Sequence, residues 1–130
     1  MTNAVSLNAF FTWLEDRAHE VRRIEQHALR ELERKNVQNY RDGMRRKAEL
    51  LVGLPKASIP LIYGLPEDAA QAIREGLWRF AGNASNALSL DSVFYMSALL
   101  YPEEYREGEP NDLEVFLGEL RTRFSNFFTD

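Results

Sequence analysis

ELERKNVQNY, residues 31–40, decides the fold, because one helical pattern of apolar residues ends in it and another begins. Before this stretch the apolar residues fall on one side of a helical wheel drawn at about 100° per residue. After it they form a second stripe, rotated by about 100° or more from the first. One straight helix cannot turn both stripes toward one core, so the sequence predicts two helices, over residues 6–35 and 37–52. The first stripe contains Leu7, Phe11, Leu14, Ala18, Val21, Ala28 and Leu32, and the second contains Val37, Tyr40, Met44, Ala48 and Leu51.

Asn36 marks the predicted junction between these helices. Asparagine is favourable directly before a helix, because its side chain accepts hydrogen bonds from the free amides of the first turn. A different interpretation stays open on the sequence alone, in which residues 6–52 form one continuous helix. The two interpretations differ in which charged side chains face water.

Three further helices are predicted, over residues 66–82, 86–101 and 111–128. The last of them begins with Asn111 and has Glu114 three residues later, which is the pattern of a capping box. The helix over 86–101 is apolar on nearly every side and is expected to be the most enclosed. Since no strand pattern occurs, the sequence predicts an all-α fold, a compact bundle of about five helices.

Length and composition limit the possible functions. A chain of 130 residues is expected to form a single helical domain, residues 1–130, with one core. The absence of cysteine excludes disulfides, thiolate metal sites and thiol nucleophiles. The N-terminal residues lack a basic start followed by an apolar run, and no apolar tract is long enough to cross a membrane. A cytoplasmic location without membrane association is therefore expected.

The net charge of −4 is distributed unevenly along the chain. Residues 1–56 carry 11 basic and 8 acidic side chains, a balance of +3, whereas residues 57–130 carry 5 and 12, a balance of −7. Such an asymmetry can draw one half of the chain onto the other, or one subunit onto another.

Asp16 and His19 have the spacing of the carboxylate and imidazole ligands in helical di-iron proteins. On the helical wheel, however, these two residues lie opposite the apolar stripe and face water. The chain has only one other histidine, His27, so it cannot supply a second pair. We therefore predict no metal site, no cofactor and no catalytic residue, and the sequence leans against an enzyme.

Arg23, Arg30 and Arg34 share one edge of the first predicted helix and could follow a phosphate backbone. Arg41 and Arg45 would extend this edge only if the helix were continuous, so the predicted break argues against the interpretation. Acidic residues also alternate with the arginines, and the isoelectric point is about 5.3. Nucleic-acid binding is kept as an alternative.

Four residues are candidates for a protein interface: Phe11, Trp13, Glu25 and Trp78. Glu25 falls inside the apolar stripe, where an unpaired carboxylate is costly. We therefore expect either that it meets an arginine of the third predicted helix or of a second subunit, or that this segment is only shallowly packed. Trp78 lies off the inner face of its helix among charged neighbours, and exposed aromatic residues often anchor interfaces. The leading prediction is a non-enzymatic protein-interaction or regulatory module that acts as a homodimer, through the first predicted helix and the exposed aromatic residues, or binds another protein.

A small-molecule site is the second interpretation. Residues 54–66 read as a loop that is unusually apolar for its length, and such loops often cover a site. Three tyrosines, Tyr63, Tyr95 and Tyr101, could line a pocket between this loop and the helix over residues 86–101.

Overall fold

The computed structural model describes residues 3–125, in which six helices and no strand occur. Five of the helices have nine residues or more and the remaining one, α5, has six. The predicted all-α bundle is confirmed. The helices are α1 (Asn3–Glu33), α2 (Val37–Val52), α3 (Leu54–Ile62), α4 (Glu67–Ser89), α5 (Val93–Ala98) and α6 (Asp112–Arg123).

The break between α1 and α2 lies where the sequence places it. Lys35 adopts a left-handed φ of 65°, which ends α1 and reverses the chain. The Asn36 side chain then accepts a hydrogen bond from the Asn39 amide at 3.1 Å. The predicted cap is therefore confirmed, although α1 ends at Glu33, two residues before its predicted end at 35.

A close crossing holds α1 against α2 at Gly43. A Cβ atom built at this position would lie 2.8 Å from the Cβ of Ala28 on α1. Real side chains essentially never approach so closely, so only glycine permits this helix separation. The two amphipathic stripes thus face each other, and α2 also packs on α4.

The predicted loop over residues 54–66 is wrong, because α3 occupies most of it. Its prolines do not prevent the helix. Pro55 lies in the first turn, where the missing N–H is not needed, and Pro60 lies in the last turn, where it removes one hydrogen bond. Burial of Leu54 and Ile62 against the core favours the helix over a loop.

The predicted helix over residues 86–101 is also wrong. α4 continues past the expected stop at Gly82 and includes residues 86–89, because small alanines keep its inner face packed on the core. The chain turns instead at Asp91, which has a left-handed φ of 49°. Ser92 then caps α5 by accepting a hydrogen bond from the Tyr95 amide at 3.1 Å.

α5 is not the most enclosed helix that its apolar sequence predicts. Of its six residues, only Met96 is buried, whereas Phe94 and Tyr95 are exposed. The most enclosed helices are α1, α2 and α4, because their inner faces supply most of the core.

The capping box at the start of α6 is confirmed. The Asn111 side chain accepts from the Glu114 amide at 2.9 Å, and the Glu114 carboxylate accepts from the Asn111 amide at 2.8 Å. The helix ends at Arg123, and the predicted end at residue 128, with Phe127, lies outside the described residues.

One hydrophobic cluster takes side chains from all six helices. Its fully covered members include Phe10 and Leu14 of α1, Leu51 of α2 and Leu77 of α4. The far end of α1 leaves this core, and Leu32 is exposed there although it continues the predicted stripe.

Candidate functional site

An apolar groove runs between α3 and α4 and has a volume of about 680 Å³. We call it the α3–α4 groove. α3 forms one wall, and the outer face of α4 forms the other. The lining residues are Val52, Pro55, Lys56, Ser58, Ile59, Ile62, Arg74, Trp78, Ala81, Gly82 and Ser85.

Large apolar side chains on both walls of the groove are open to solvent. Trp78 of α4 is 72% exposed, and Ile59 of α3 is 61% exposed. On the same face of α4, one turn beyond Trp78, Gly82 leaves a gap, since a Cβ atom there would meet nothing within 4 Å. The groove therefore combines protruding apolar groups with an unfilled space.

The charges at the α3–α4 groove are nearly balanced. Lys56 and Arg74 are the charged lining residues, and Arg74 forms an ion pair with Glu67 at 2.8 Å. Glu75, three residues before Trp78, accepts a hydrogen bond from Gln71 at 2.8 Å. The groove thus presents an apolar surface without a strong field of either sign.

A second notable region is a buried or partly buried polar set that joins α1 to α2, to the start of α6 and to Tyr101 after α5. We call it the polar cluster, and its members are Arg22, Glu25, Lys47, Tyr101 and Glu114. At its centre, Glu25 is only 8% exposed and Lys47 is fully buried. Their charged atoms lie 2.8 Å apart, and the Lys47 ammonium also donates to the Ser97 carbonyl at 3.1 Å. Burial lowers the pKa of Lys47, and the Glu25 carboxylate opposes this effect.

The predicted partner of Glu25 requires correction. Neither an arginine of the third predicted helix nor a second subunit is needed, because Lys47 of α2 and the Tyr101 hydroxyl bind one carboxylate oxygen each. The Tyr101 hydroxyl donates at 2.6 Å. Burial, together with this bond to a carboxylate, raises the pKa of Tyr101 well above its ordinary value.

Arg22 and Glu114 join α1 to the start of α6. The guanidinium donates to both oxygens of the Glu114 carboxylate, at 2.6 and 3.1 Å, which is the paired geometry that favours arginine. This hydrogen bonding lowers the pKa of Glu114. Because the same carboxylate belongs to the capping box, the ion pair ties the beginning of α6 to the bundle.

The four candidate interface residues do not share one surface. Phe11 is buried in the core, and Trp13 is half-buried with its ring centroid 5.7 Å from that of Phe10. Glu25 lies in the polar cluster, so only Trp78 is mainly exposed. The apolar stripe of α1 packs mainly on other helices of the same chain.

The three candidate pocket tyrosines are also separated. Tyr63 is 88% exposed and follows α3, outside the lining of the α3–α4 groove. Tyr95 and Tyr101 line a different cavity of about 380 Å³ beside α5. Apart from Trp78, the residues that line the α3–α4 groove were not predicted from the sequence.

The arginine edge of α1 does not continue into α2, because the chain turns at Lys35. Arg23 pairs with Glu20 at 2.7 Å and Arg34 with Glu31 at 3.5 Å. Among residues 3–125, no group of three or more histidine, aspartate or glutamate side chains could hold a metal ion. Over the same part of the chain, none of the helices combines the length and apolarity needed to span a membrane.

Sequence reasoning missed Lys47, Ile59 and Gly82. A signal existed for Lys47, because it falls between Met44 and Ala48 in the second apolar stripe, where a charge requires a partner. No signal of that kind marks Ile59 or Gly82, since their role depends on α3 being a helix. Comparison of the chain with protein-family models, with characterised proteins and with solved structures found no match.

Proposed function

We propose that this protein is a non-enzymatic interaction module that forms a homodimer through the α3–α4 groove. One observation carries the proposal: Trp78 is 72% exposed beside an apolar groove of about 680 Å³. Exposed aromatic side chains next to an unfilled apolar space are typical of interface anchors. Covering them removes apolar area from water, which favours association.

Shape supports a second copy of the chain as the occupant. Trp78 and Gly82 lie four residues apart on one face of α4, which is about 6 Å along the helix axis. A two-fold axis that crosses α4 between them would set Trp78 of each copy against Gly82 of the other. Each groove would then receive one large ring where a side chain is missing, which is the self-complementarity that a two-fold interface requires.

Charge supports the same occupant. A two-fold interface places a patch against itself, so a patch with a strong charge would repel its own copy. The α3–α4 groove carries only one cation without an ion pair among residues 3–125, Lys56, because Glu67 compensates Arg74, although the chain as a whole carries −4. A nearly neutral patch on an acidic protein suits self-association better than recognition of a highly charged partner.

The test is the mass of the protein in solution, measured by sedimentation equilibrium from low to high micromolar concentration. Wild type is expected to be a dimer, and Trp78→Ala is expected to be a monomer or to dissociate at a much higher concentration. Phe94→Ala is the matched control, because Phe94 is also 72% exposed and lies on α5, outside the groove lining. A monomeric wild type, or equal dissociation of both variants, would contradict the proposal.

A second candidate is an apolar small molecule in the same groove. Its volume of about 680 Å³ lies within the range of roughly 300–1,000 Å³ that is typical of small-molecule sites. Native mass spectrometry of protein purified from its own host distinguishes the two candidates. A dimer without added mass favours self-association, whereas a monomer with a small adduct that Gly82→Leu removes favours the ligand.

A further inference from the structure

A third cavity, of about 500 Å³, opens beside the polar cluster. We call it the tyrosine cavity, because Tyr40, Tyr101 and Tyr105 line it, from α2 and from the segment that follows α5. Arg22, Glu25 and Glu107 also line it, so aromatic faces and charged groups meet in one space. It is separate from the α3–α4 groove and plays no part in the proposed dimer.

The rings of this cavity already lie close to cations. Tyr101 and Tyr105 pack edge to face, with centroids 4.7 Å apart and planes at 69°. The Lys47 ammonium lies 4.9 Å from the Tyr101 centroid, and the Arg22 guanidinium lies 5.9 Å from it. Both distances are within the range in which the negative face of an aromatic ring attracts a positive charge.

The charges around the cavity leave a negative excess. Arg22 is compensated by Glu114 at 2.6 Å, and Lys47 is compensated by Glu25 at 2.8 Å. Glu107 forms no ion pair with any residue of the described range 3–125. An anion entering the cavity would meet this unpaired carboxylate, whereas a cation would be attracted by it.

Apart from the unpaired Glu107 carboxylate, the hydrogen-bond acceptors near the rings are largely in use. The Glu25 oxygens accept from Lys47 and from Tyr101, and the Glu109 carbonyl accepts from Tyr105 at 2.6 Å. A primary ammonium needs several acceptors, but a quaternary ammonium has no N–H group and needs none. Its methyl groups can instead lie against aromatic faces, the arrangement by which proteins bind such ions.

We propose that the tyrosine cavity binds a small quaternary ammonium ion. The rings of Tyr40 and Tyr105 contact its methyl groups, and the negative charge of Glu107 attracts it from a distance. The volume of about 500 Å³ is ample for such a group and lies in the range of roughly 300–1,000 Å³ found for small-molecule sites. Two sources share this chemistry: free choline, and the trimethylated ammonium of a modified lysine side chain.

Isothermal titration calorimetry of the full chain with choline tests the proposal, and 3,3-dimethyl-1-butanol is the control. This alcohol has the shape of choline without the charge, so it separates ring–cation attraction from filling of apolar space. Choline is expected to bind at least about fivefold more tightly than the alcohol. A trimethyllysine-containing peptide is titrated in parallel, and the tighter of the two probes identifies the source. Absence of binding by both cations, or equal binding of choline and the alcohol, would overturn the proposal.

Variants locate the site. Tyr105→Leu removes one ring and is expected to weaken binding of the cation about fivefold, while Tyr95→Leu, outside the cavity lining, is expected to leave it unchanged. Glu107→Gln removes the unpaired charge at an exposed position, so the fold is retained, and is expected to weaken binding about twofold at low salt. Circular dichroism checks that each variant is folded. Unchanged binding by both Glu107→Gln and folded Tyr105→Leu would contradict the assignment.

Discussion

The polar cluster and the α3–α4 groove depart from the usual hydrophobic pattern in opposite directions. The cluster buries charged Glu25 and Lys47 where apolar side chains are expected, and the groove exposes apolar Trp78 and Ile59 where polar side chains are expected. In the cluster, each charge meets its counterpart within the same chain. In the groove, the side chains of residues 3–125 leave Trp78 72% exposed.

This difference shows which anomaly in a sequence indicates an external partner. A charged residue in an apolar stripe suggests an interface only until its internal partner is found, and Lys47 supplies that partner for Glu25. For the exposed Trp78, the part of the chain that the structure describes offers no such internal partner. The polar cluster therefore bears on stability, whereas the groove is the surface that we propose for association.

The largest expected effect comes from breaking the charge pair in the polar cluster. Lys47→Met leaves the Glu25 carboxylate buried without its cation, and we expect it to lower the free energy of unfolding by about 3–5 kcal/mol. Adding Glu25→Leu removes the stranded charge, so the double variant should recover more than half of this loss. Urea denaturation measures both variants. A loss below about 1 kcal/mol for Lys47→Met would show that the pair behaves like a surface ion pair.

Two glycines of α4 sharpen the comparison between core and groove. A Cβ atom at Gly76 would collide with the Phe116 ring, so Gly76→Ala should lower the free energy of unfolding by about 1–3 kcal/mol. Gly82 faces open space in the single chain, so Gly82→Ala, measured at concentrations too low for dimerisation, should raise it by roughly 0.5–1 kcal/mol through helix propensity. Thermal and urea unfolding of the two variants would reveal effects of opposite sign. Equal changes in the free energy of unfolding would contradict the placing of Gly76 on the packed face of α4 and of Gly82 on its open face.

A smaller effect, visible mainly at high pH, comes from Tyr101. Tyr101→Phe removes the hydrogen bond to Glu25 and should cost about 1–2 kcal/mol at neutral pH. Because the folded-state pKa of Tyr101 is raised above the ordinary 10.0, its contribution is complete below that pH and is lost as the pH rises above it. The wild type should therefore lose stability more steeply than the variant above pH 10, as measured by urea denaturation at a series of pH values. Parallel pH profiles would contradict the burial of this hydroxyl.

Local signals predicted the parts of the fold that depend on local contacts. The junction at Asn36 and the capping box at Asn111 were predicted correctly, because a side chain a few residues away satisfies the backbone there. The prolines of α3 and Gly82 of α4 misled the prediction, because tertiary packing outweighs their small local cost.

The candidate site was less predictable, because it depends on contacts between distant segments. The exposure of Trp78 followed from its charged neighbours, but the groove beside it required α3 to fold as a helix and pack on α4. The burial of Glu25 followed from its place in the apolar stripe. Its partner Lys47, on another helix, did not follow from the spacing within α1.

The most direct test of the account is sedimentation equilibrium of wild type, Gly82→Leu and Gly118→Leu at matched concentrations. Both glycines are helical and exposed, with nothing within 4 Å of an added Cβ atom, but only Gly82 lines the α3–α4 groove. We expect wild type and Gly118→Leu to be dimers and Gly82→Leu to be a monomer whose circular dichroism spectrum matches that of wild type. Three equal masses would contradict the claim that the groove joins two copies of the chain.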